Sequence, residues 1–336
     1  MLDVSASGGL GQTTAAVAFE DAPFSVFDQI GLRDPGADIV SSMSGINLHF
    51  LNLLQANYRD RLVSNASNVS EMGEPLTGSS LFQAVDANGN FRFIEHLPIG
   101  LNLKTLTALL GNQDRAYILT VNLSIASPGA STSGPIYTTA PAGNSAFPSL
   151  TITPNYRSFT VPDATSGGVA QQRRPDNYGV VHLGTAASNA SAPSNGGQIA
   201  HYLVNLGPTF RSICWVFRSV LTSGAATRAN AELAAPTSLQ MFWGSTGANV
   251  ETWAIRRALM FERFGVNFPA GSLCYDYISD GGPGAGVETG SSYINTQNLV
   301  NSRLLVSYPT TSGQWAAGST LFQVVDSLDY TAPAGG

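Results

Sequence analysis

Two tandem all-β domains, each interrupted by a short helix and decorated by long loops, form the fold class that the sequence predicts. Three observations predict it. Apolar and polar residues alternate with a period of two in many runs of five to ten residues, such as YILTVNLSI and TLFQVVDSLDY. Helix-period stretches are few. The runs are separated by segments rich in Gly, Ser and Pro, in a chain that carries 35 Gly and 18 Pro. A length of 336 residues fits two domains of roughly 150–170 residues each.

Taken in order, residues 1–40 read as an N-terminal arm. A small polar start, MLDVSASGGLGQTTAAV, leads into FEDAPFSVFDQIGL, whose bulky apolar residues can dock. Residues 41–165 form the first domain. GINLHF places Ile46, Leu48 and Phe50 on one side of a strand, and FRFI is a second strand. LNLKTLTALLG carries Leu103, Leu106, Leu109 and Leu110 near helical spacing, with Gly111 as its stop. In AYILTVNLSI, Leu119, Val121, Leu123 and Ile125 oppose Thr120, Asn122 and Ser124. With Phe91 and Phe93 they are the expected core of this domain. SLTIT and SFTV follow a loop over 126–148.

Residues 166–195 read as a linker, with VVHL as a short strand inside it. The second domain is 196–336. AHYLVNL, RSICWVF, SLQMFW, SLCYDYI, SRLLVSY and TLFQVVDSLDY are its strands, and Trp215, Phe217, Leu239, Met241, Tyr275 and Val324 its expected core. VETWAIRRALMFERFG, from Val250 to Gly265, is its helix, with Glu251 near the start and Arg263 near the end, the sense that the helix dipole favours.

Charge narrows the function. Charged residues are 11% of the chain and the net charge is -6, which provides no general phosphate-neutralising surface. Lys104 is the sole lysine among 16 basic residues. Arginine suits ordered and interfacial contacts better than lysine, so a surface covered in use is one reading and a lineage bias toward arginine the other. MLDVSASGG shows no basic region followed by an apolar core, so no signal peptide is expected. No run approaches 18 apolar residues.

Searching for chemistry returns little. GGLGQTT lacks the lysine of a phosphate loop. His49, His96, His182 and His201 stand alone in separate segments, and Glu95 and His96 are strand neighbours pointing to opposite faces. Cys214 and Cys274 read as buried free thiols, with a disulfide as the alternative. Asp276 and Asp280, before GGPGAG, are the weak metal candidates, for a structural calcium; the other reading is charges that solvate a strand end, as with Asp326 and Asp329. Arg173 and Arg174 in QQRRP, and Arg256 and Arg257 in WAIRRAL, are interface candidates. Trp315, in TTSGQWAAGS, reads either as an exposed anchor for a neighbouring subunit or as a lid over one end of the second domain. No catalytic constellation and no cofactor motif emerges.

The run FRFIEHLPIGLNLKTLTALLGNQDRAYILTVNLSI orders strand, Leu-Pro turn, helix and long alternating strand; FERFGVNFPAGSLCYDYISDGG leads through Pro-Ala-Gly into an aromatic strand; NSRLLVSYPTT and STLFQVVDSLDY close the chain. Over about residues 40–330 this order resembles the double jelly-roll major capsid proteins of tailless icosahedral phages and related viruses with an internal membrane. The resemblance implies two tandem jelly-roll sandwiches and no catalytic residues. It implies a homotrimeric, pseudo-hexameric capsomer, contacts with neighbouring capsomers and with minor capsid or penton proteins, and no sequence-specific nucleic-acid binding. The expected location is the virion shell, after synthesis in the host cytoplasm. Peripheral contact with the membrane is expected to be apolar rather than electrostatic, because the first 40 residues hold Arg33 against Asp3, Glu20, Asp21, Asp28, Asp34 and Asp38. The alternative of another class is a carbohydrate- or receptor-binding viral spike that uses TSGQWAAGS and DGGPGAG. A jelly-roll glycosidase or lyase stands behind it, for want of a visible carboxylate pair.

Overall fold

The computed structural model describes residues 2–9, 11–33, 39–54, 83–97, 120–125, 136–143, 148–155, 182–204, 208–221, 225–264, 267–277, 294–296, 299–311 and 313–328. The helix expected over 101–111 lies outside them.

In the first half the strands are β1 (Leu2–Ser7), β2 (Gln12–Thr14), β3 (Val17–Ala18), β4 (Phe27–Arg33), β5 (Ile39–Met43), β6 (Phe91–Glu95), β7 (Thr120–Ile125), β8 (Tyr137–Thr139), β9 (Ala142–Gly143) and β10 (Ser149–Pro154). Two three-stranded antiparallel sheets, ordered β10-β1-β6 and β5-β4-β7, are joined by the ribbons β2-β9 and β3-β8. Residues 1–40, expected as an arm, thus supply the central strand of both sheets. The cause is visible in β1: Leu2, Val4 and Ala6 alternate with Asp3, Ser5 and Ser7, and the apolar set is buried opposite Phe91 and Phe93. Phe27 of β4 meets Phe93 of β6 edge-on, with centroids 6.3 Å apart, so the sheets face each other across a phenylalanine core. Each of these buried rings contributes roughly 1.5–3 kcal/mol.

GINLHF is not a strand. It begins α1 (Gly45–Leu54), nine of whose ten residues are buried. A helix covered on every side shows no 3.6-residue period, and Ile46, Leu48 and Phe50 fit a period of two by accident. Ser44 caps it: its Oγ accepts from Asn47 N at 3.4 Å and its carbonyl accepts from Leu48 N. Gly45 is required at the first turn, because a Cβ there would lie 2.1 Å from the Phe24 carbonyl oxygen. The expected core residues Val121 and Ile125 are 39% and 48% exposed, while Leu123 is half-buried. Strand β7 is an edge strand whose apolar row reaches the core only through Leu123 among the described residues; Leu119 lies outside them.

The second half contains β11 (His182–Ser188), β12 (Gly197–Tyr202), β13 (Thr209–Arg218), α2 (Arg228–Leu233), β14 (Ser238–Trp243), β15 (Thr246–Gly247), α3 (Trp253–Phe264), β16 (Ser272–Asp276), β17 (Ile294–Asn295), β18 (Arg303–Tyr308) and β19 (Thr320–Leu328). One sheet runs β11-β19-β13-β16, with β17 also on β13, and the other β12-β18-β14-β15. Apart from the β14–β15 hairpin and the short β17, successive strands switch sheets, which is jelly-roll connectivity. The expected linker over 166–195 therefore holds the first strand of this sandwich, β11, because it pairs with β19 along its full length. All six expected core residues, from Trp215 to Val324, are buried.

Both faces of β13 and β19 are covered, and α1 from the first half lies against each of them. The polar residues of β19 that alternation assigns to water, Gln323 and Ser327, are buried with the rest.

Candidate functional site

The second half seats its buried charge with a bulge. The β13–β19 register shifts between Phe210 and Ser212, leaving Arg211 as the extra residue. Its Nη1 donates to both oxygens of Asp326, at 2.9 and 2.7 Å, and both side chains are buried. Asp326 is thus a core ion pair and not a solvated strand end. Breaking such a pair leaves a buried charge uncompensated and costs about 3–5 kcal/mol.

The histidines go to separate places. His49 of α1 stacks on Phe24 at 3.7 Å, and its Nδ1 lies 3.3 Å from Glu95 Oε1. Asn52 Nδ2 donates to the other Glu95 oxygen. Glu95 therefore works with two residues of a helix that the strand reading of GINLHF does not foresee. His201 sits between Tyr308 Oη, 2.7 Å from Nε2, and Asn189 Oδ1, 3.4 Å from Nδ1. Burial lowers its pKa to about 4, against the lift of a hydrogen bond to the backbone of Ser191. Asn189 is occupied in the same way, its Nδ2 donating to Tyr202 O at 2.8 Å.

Two of the interface candidates close an edge within the chain. Strand β16 ends its sheet, and α3 lies along it. Arg256 Nε donates to Cys274 O at 2.8 Å, and its guanidinium lies 4.0 Å from the centroid of the Tyr275 ring. Arg257 donates to the carbonyls of Phe268, Pro269 and Ser272 at 2.8, 3.1 and 3.2 Å. About two turns on, Arg263 Nε meets Asp276 Oδ2 at 2.6 Å. These arginines satisfy carbonyls and a carboxylate that an edge strand otherwise presents to other chains. Helix α3 starts at Trp253, later than Val250, because Glu251 pairs with Leu239 in both directions and Thr252 Oγ1 takes the cap, accepting from Ile255 N. Asp276, a weak metal candidate, has this arginine as its partner; Asp280, Arg173 and Arg174 lie outside the described residues. Among the described residues no group of three His, Cys, Asp or Glu side chains is placed to hold a metal ion.

Helix α3 buries Trp253, Met260 and Phe264 between its inward-turned arginines, yet it also leaves large apolar residues in the open. Ile255, Leu259 and Phe261 are 53%, 40% and 46% exposed. The exposed anchor expected at Trp315 is corrected: the ring is buried, its Nε1 donates to Ala234 O at 2.9 Å, and it packs edge-on against Phe217 and Tyr308. Gly and Ser around it made the loop read as solvent-facing, but Asn195 Oδ1 accepts from Trp315 N at 2.7 Å and fastens it down as a lid.

A clasp that no local signal foretold joins the halves. Asp21, beside the first sandwich, accepts from Arg218 Nη2 at 2.5 Å and from Arg228 Nε at 2.9 Å. Glu20 accepts from Arg228 N through both oxygens, at 3.0 and 2.8 Å, and pairs with Arg218 at 3.4 Å. Arg228 also donates to the carbonyls of Glu20 and Ala270. Burial pushes the Glu20 carboxyl above its ordinary value, against the pull of Arg228. Partners nearly 200 residues apart share no pattern in the sequence; only the fold brings them together.

No family model and no curated protein matches the chain. Solved structures do. The crystal structure of PBCV-1 VP54, fitted into a reconstruction of the virophage Sputnik, aligns over 97% of this chain and 85% of that one, at 11% identity and TM-score 0.53. A quasi-atomic PBCV-1 virus capsid aligns over the same shares at 11% identity and TM-score 0.52. The STIV MCP is similar over 97% of this chain and 86% of that one, at 14% identity and TM-score 0.49. Together with the strand order above, the two PBCV-1 alignments show that this chain has the fold of those capsid structures, two jelly-roll sandwiches in tandem.

Proposed function

We propose that this chain is a major capsid protein, the structural subunit of a trimeric, pseudo-hexameric capsomer in an icosahedral virion shell. The observation that carries the reading is the pair of sandwiches joined by the clasp of Glu20, Asp21, Arg218 and Arg228, in a fold shared along nearly the whole chain with capsid structures. Two similar blocks held at a fixed offset, repeated around a three-fold axis, give six blocks in a ring, and such rings tile a facet. A ring needs two different contact patches on each chain. The exposed Ile255 and Leu259, one turn apart on α3 in the second half, and Val121 with Ile125 of β7 in the first are suited to that role. Neighbouring capsomers and minor capsid or penton proteins complete the partner set, with any membrane contact peripheral. The carbohydrate-binding alternative loses its aromatic platform, since Trp315 is a lid.

Mass in solution tests the reading. One chain is 35.2 kDa, so a capsomer weighs about 106 kDa. Light scattering on the wild type gives that mass, and images of concentrated samples show hexagonal outlines. Leu259→Glu, on an exposed position, keeps the melting temperature and gives a single chain. A wild type that stays at 35.2 kDa at every concentration refutes the capsomer.

A further inference from the structure

Cys214 and Cys274 occupy the middles of β13 and β16, and the antiparallel register sets them directly opposite each other. Flanking hydrogen bonds decide what kind of pair they are. Phe217 N donates to Gly271 O, and Tyr277 N donates to Arg211 O. Each of those two cross-strand pairs carries a ladder bond, and alternation between them leaves Cys214 and Cys274 as a non-hydrogen-bonded pair. The local contacts agree. Cys274 N points away from β13, toward Met260 Sδ at 3.2 Å, and its carbonyl accepts from Arg256. In a pair of this kind the Cα atoms lie about 4.5 Å apart with side chains on one face, inside the range of roughly 4.4–6.8 Å that a disulfide spans. Both residues are free thiols and both are fully buried.

We propose that Cys214 and Cys274 are a disulfide site, closing a cross-strand bond between β13 and β16 when the chain folds in the presence of a small-molecule disulfide such as oxidised glutathione. One cysteine thiolate attacks the oxidant's S–S bond, forming a mixed disulfide and releasing one glutathione thiolate. The second cysteine thiolate then displaces the other. The two cysteines lose two electrons, the oxidant gains them, and both thiol protons end on the released thiols. A mixed disulfide needs room that the folded site lacks, because α3 covers the edge of β16 with Met260, Arg256 and Arg257. Burial first, and the Cys214 thiol second, also hold the Cys274 thiol far above its ordinary pKa, which works against its thiolate in the folded chain. The bond is therefore set while α3 is undocked, and once α3 docks the redox state is locked in. Oxidised chains have their edge strand tied covalently to the centre of the sheet; reduced chains rely on the β13–β16 ladder and the contacts of α3.

The full-length protein is produced in cells with oxidising and with reducing cytoplasm, then denatured in an alkylating reagent and weighed. The oxidised preparation is expected to take up no alkyl group, to weigh two hydrogen atoms less than the unalkylated reduced chain, and to melt at a higher temperature than the reduced form. Folded reduced protein incubated with oxidised glutathione is expected to keep two alkylatable thiols for as long as it stays folded. Cys214→Ala from oxidising cells takes up a single alkyl or glutathionyl group and shows no loss of hydrogen. Two alkylatable thiols in the oxidising preparation, or an oxidised form that melts below the reduced one, overturns the disulfide site. Rapid oxidation of the folded reduced protein overturns the locking by α3.

Discussion

At the residue scale, His201 shows how far a side chain's sequence context falls short of its chemistry. Period-two reading placed it on a strand, correctly, but as one of four isolated histidines. What defines it is Tyr308 from the neighbouring strand β18 and Asn189 from the segment before β12, both within 3.4 Å. With a folded pKa of about 4 against roughly 6.5 unfolded, the unfolded chain binds the extra proton first. The contribution of His201 is therefore fully present above pH 6.5 and is lost as pH falls toward 4, on the order of 3 kcal/mol in all. Urea midpoints measured across that window should fall with acid in the wild type and fall less in His201→Gln. An equal slope in both proteins assigns the acid sensitivity elsewhere.

Among elements, legibility tracked exposure. Strands with one dry and one wet face, such as β18, announce themselves by alternation, and the sequence places β14 and β16 within a residue or two of their ends. Elements covered on every side do not: α1 reads as strand, and the polar face of β19 reads as wet although Gln323 and Asp326 are buried. Helix α3 was legible as a helix, but its orientation was not, because no pattern says that Arg256 and Arg257 turn inward to cap β16. That arrangement has a measurable consequence. Arg257→Ala removes three carbonyl contacts, and Arg256→Ala one contact plus the ring stacking. Each is expected to cost about 1–3 kcal/mol and to speed amide hydrogen exchange in β16 while leaving β18 unchanged. Arg92→Ala is the control: its pair with Asp3 is 37% and 25% exposed, and such pairs contribute about 0–1 kcal/mol. Uniform exchange across both strands in Arg257→Ala would mean that α3 does not guard this edge.

For the whole molecule, the sequence supported two β domains but not what makes them one body. The first residues look like a loose arm, since short strands in a polar setting carry weak local signals, yet β1 and β4 are central and Glu20 and Asp21 reach the other half. The join is polar, with a buried centre of Asp21 and Arg228 and a partly exposed rim of Glu20 and Arg218. Salt has little access to that centre, and removing Arg228 or Asp21 strands the other in a dry site. Arg228 is the keystone, because its backbone and guanidinium bind Glu20, Asp21 and Ala270 together. Arg228→Ala deletes the guanidinium contacts, while Arg218 still holds Asp21. The expected cost is about 3 kcal/mol, concentrated on the coupling between halves. Calorimetry should then resolve the single cooperative transition of the wild type into two, at low and at high salt alike. Light scattering on the same variant should show the capsomer mass lost at a temperature where each half remains folded by circular dichroism. If Arg228→Ala unfolds in one unchanged transition, the halves are held by α1 packing on β13 and β19, and the clasp is incidental to building a ring.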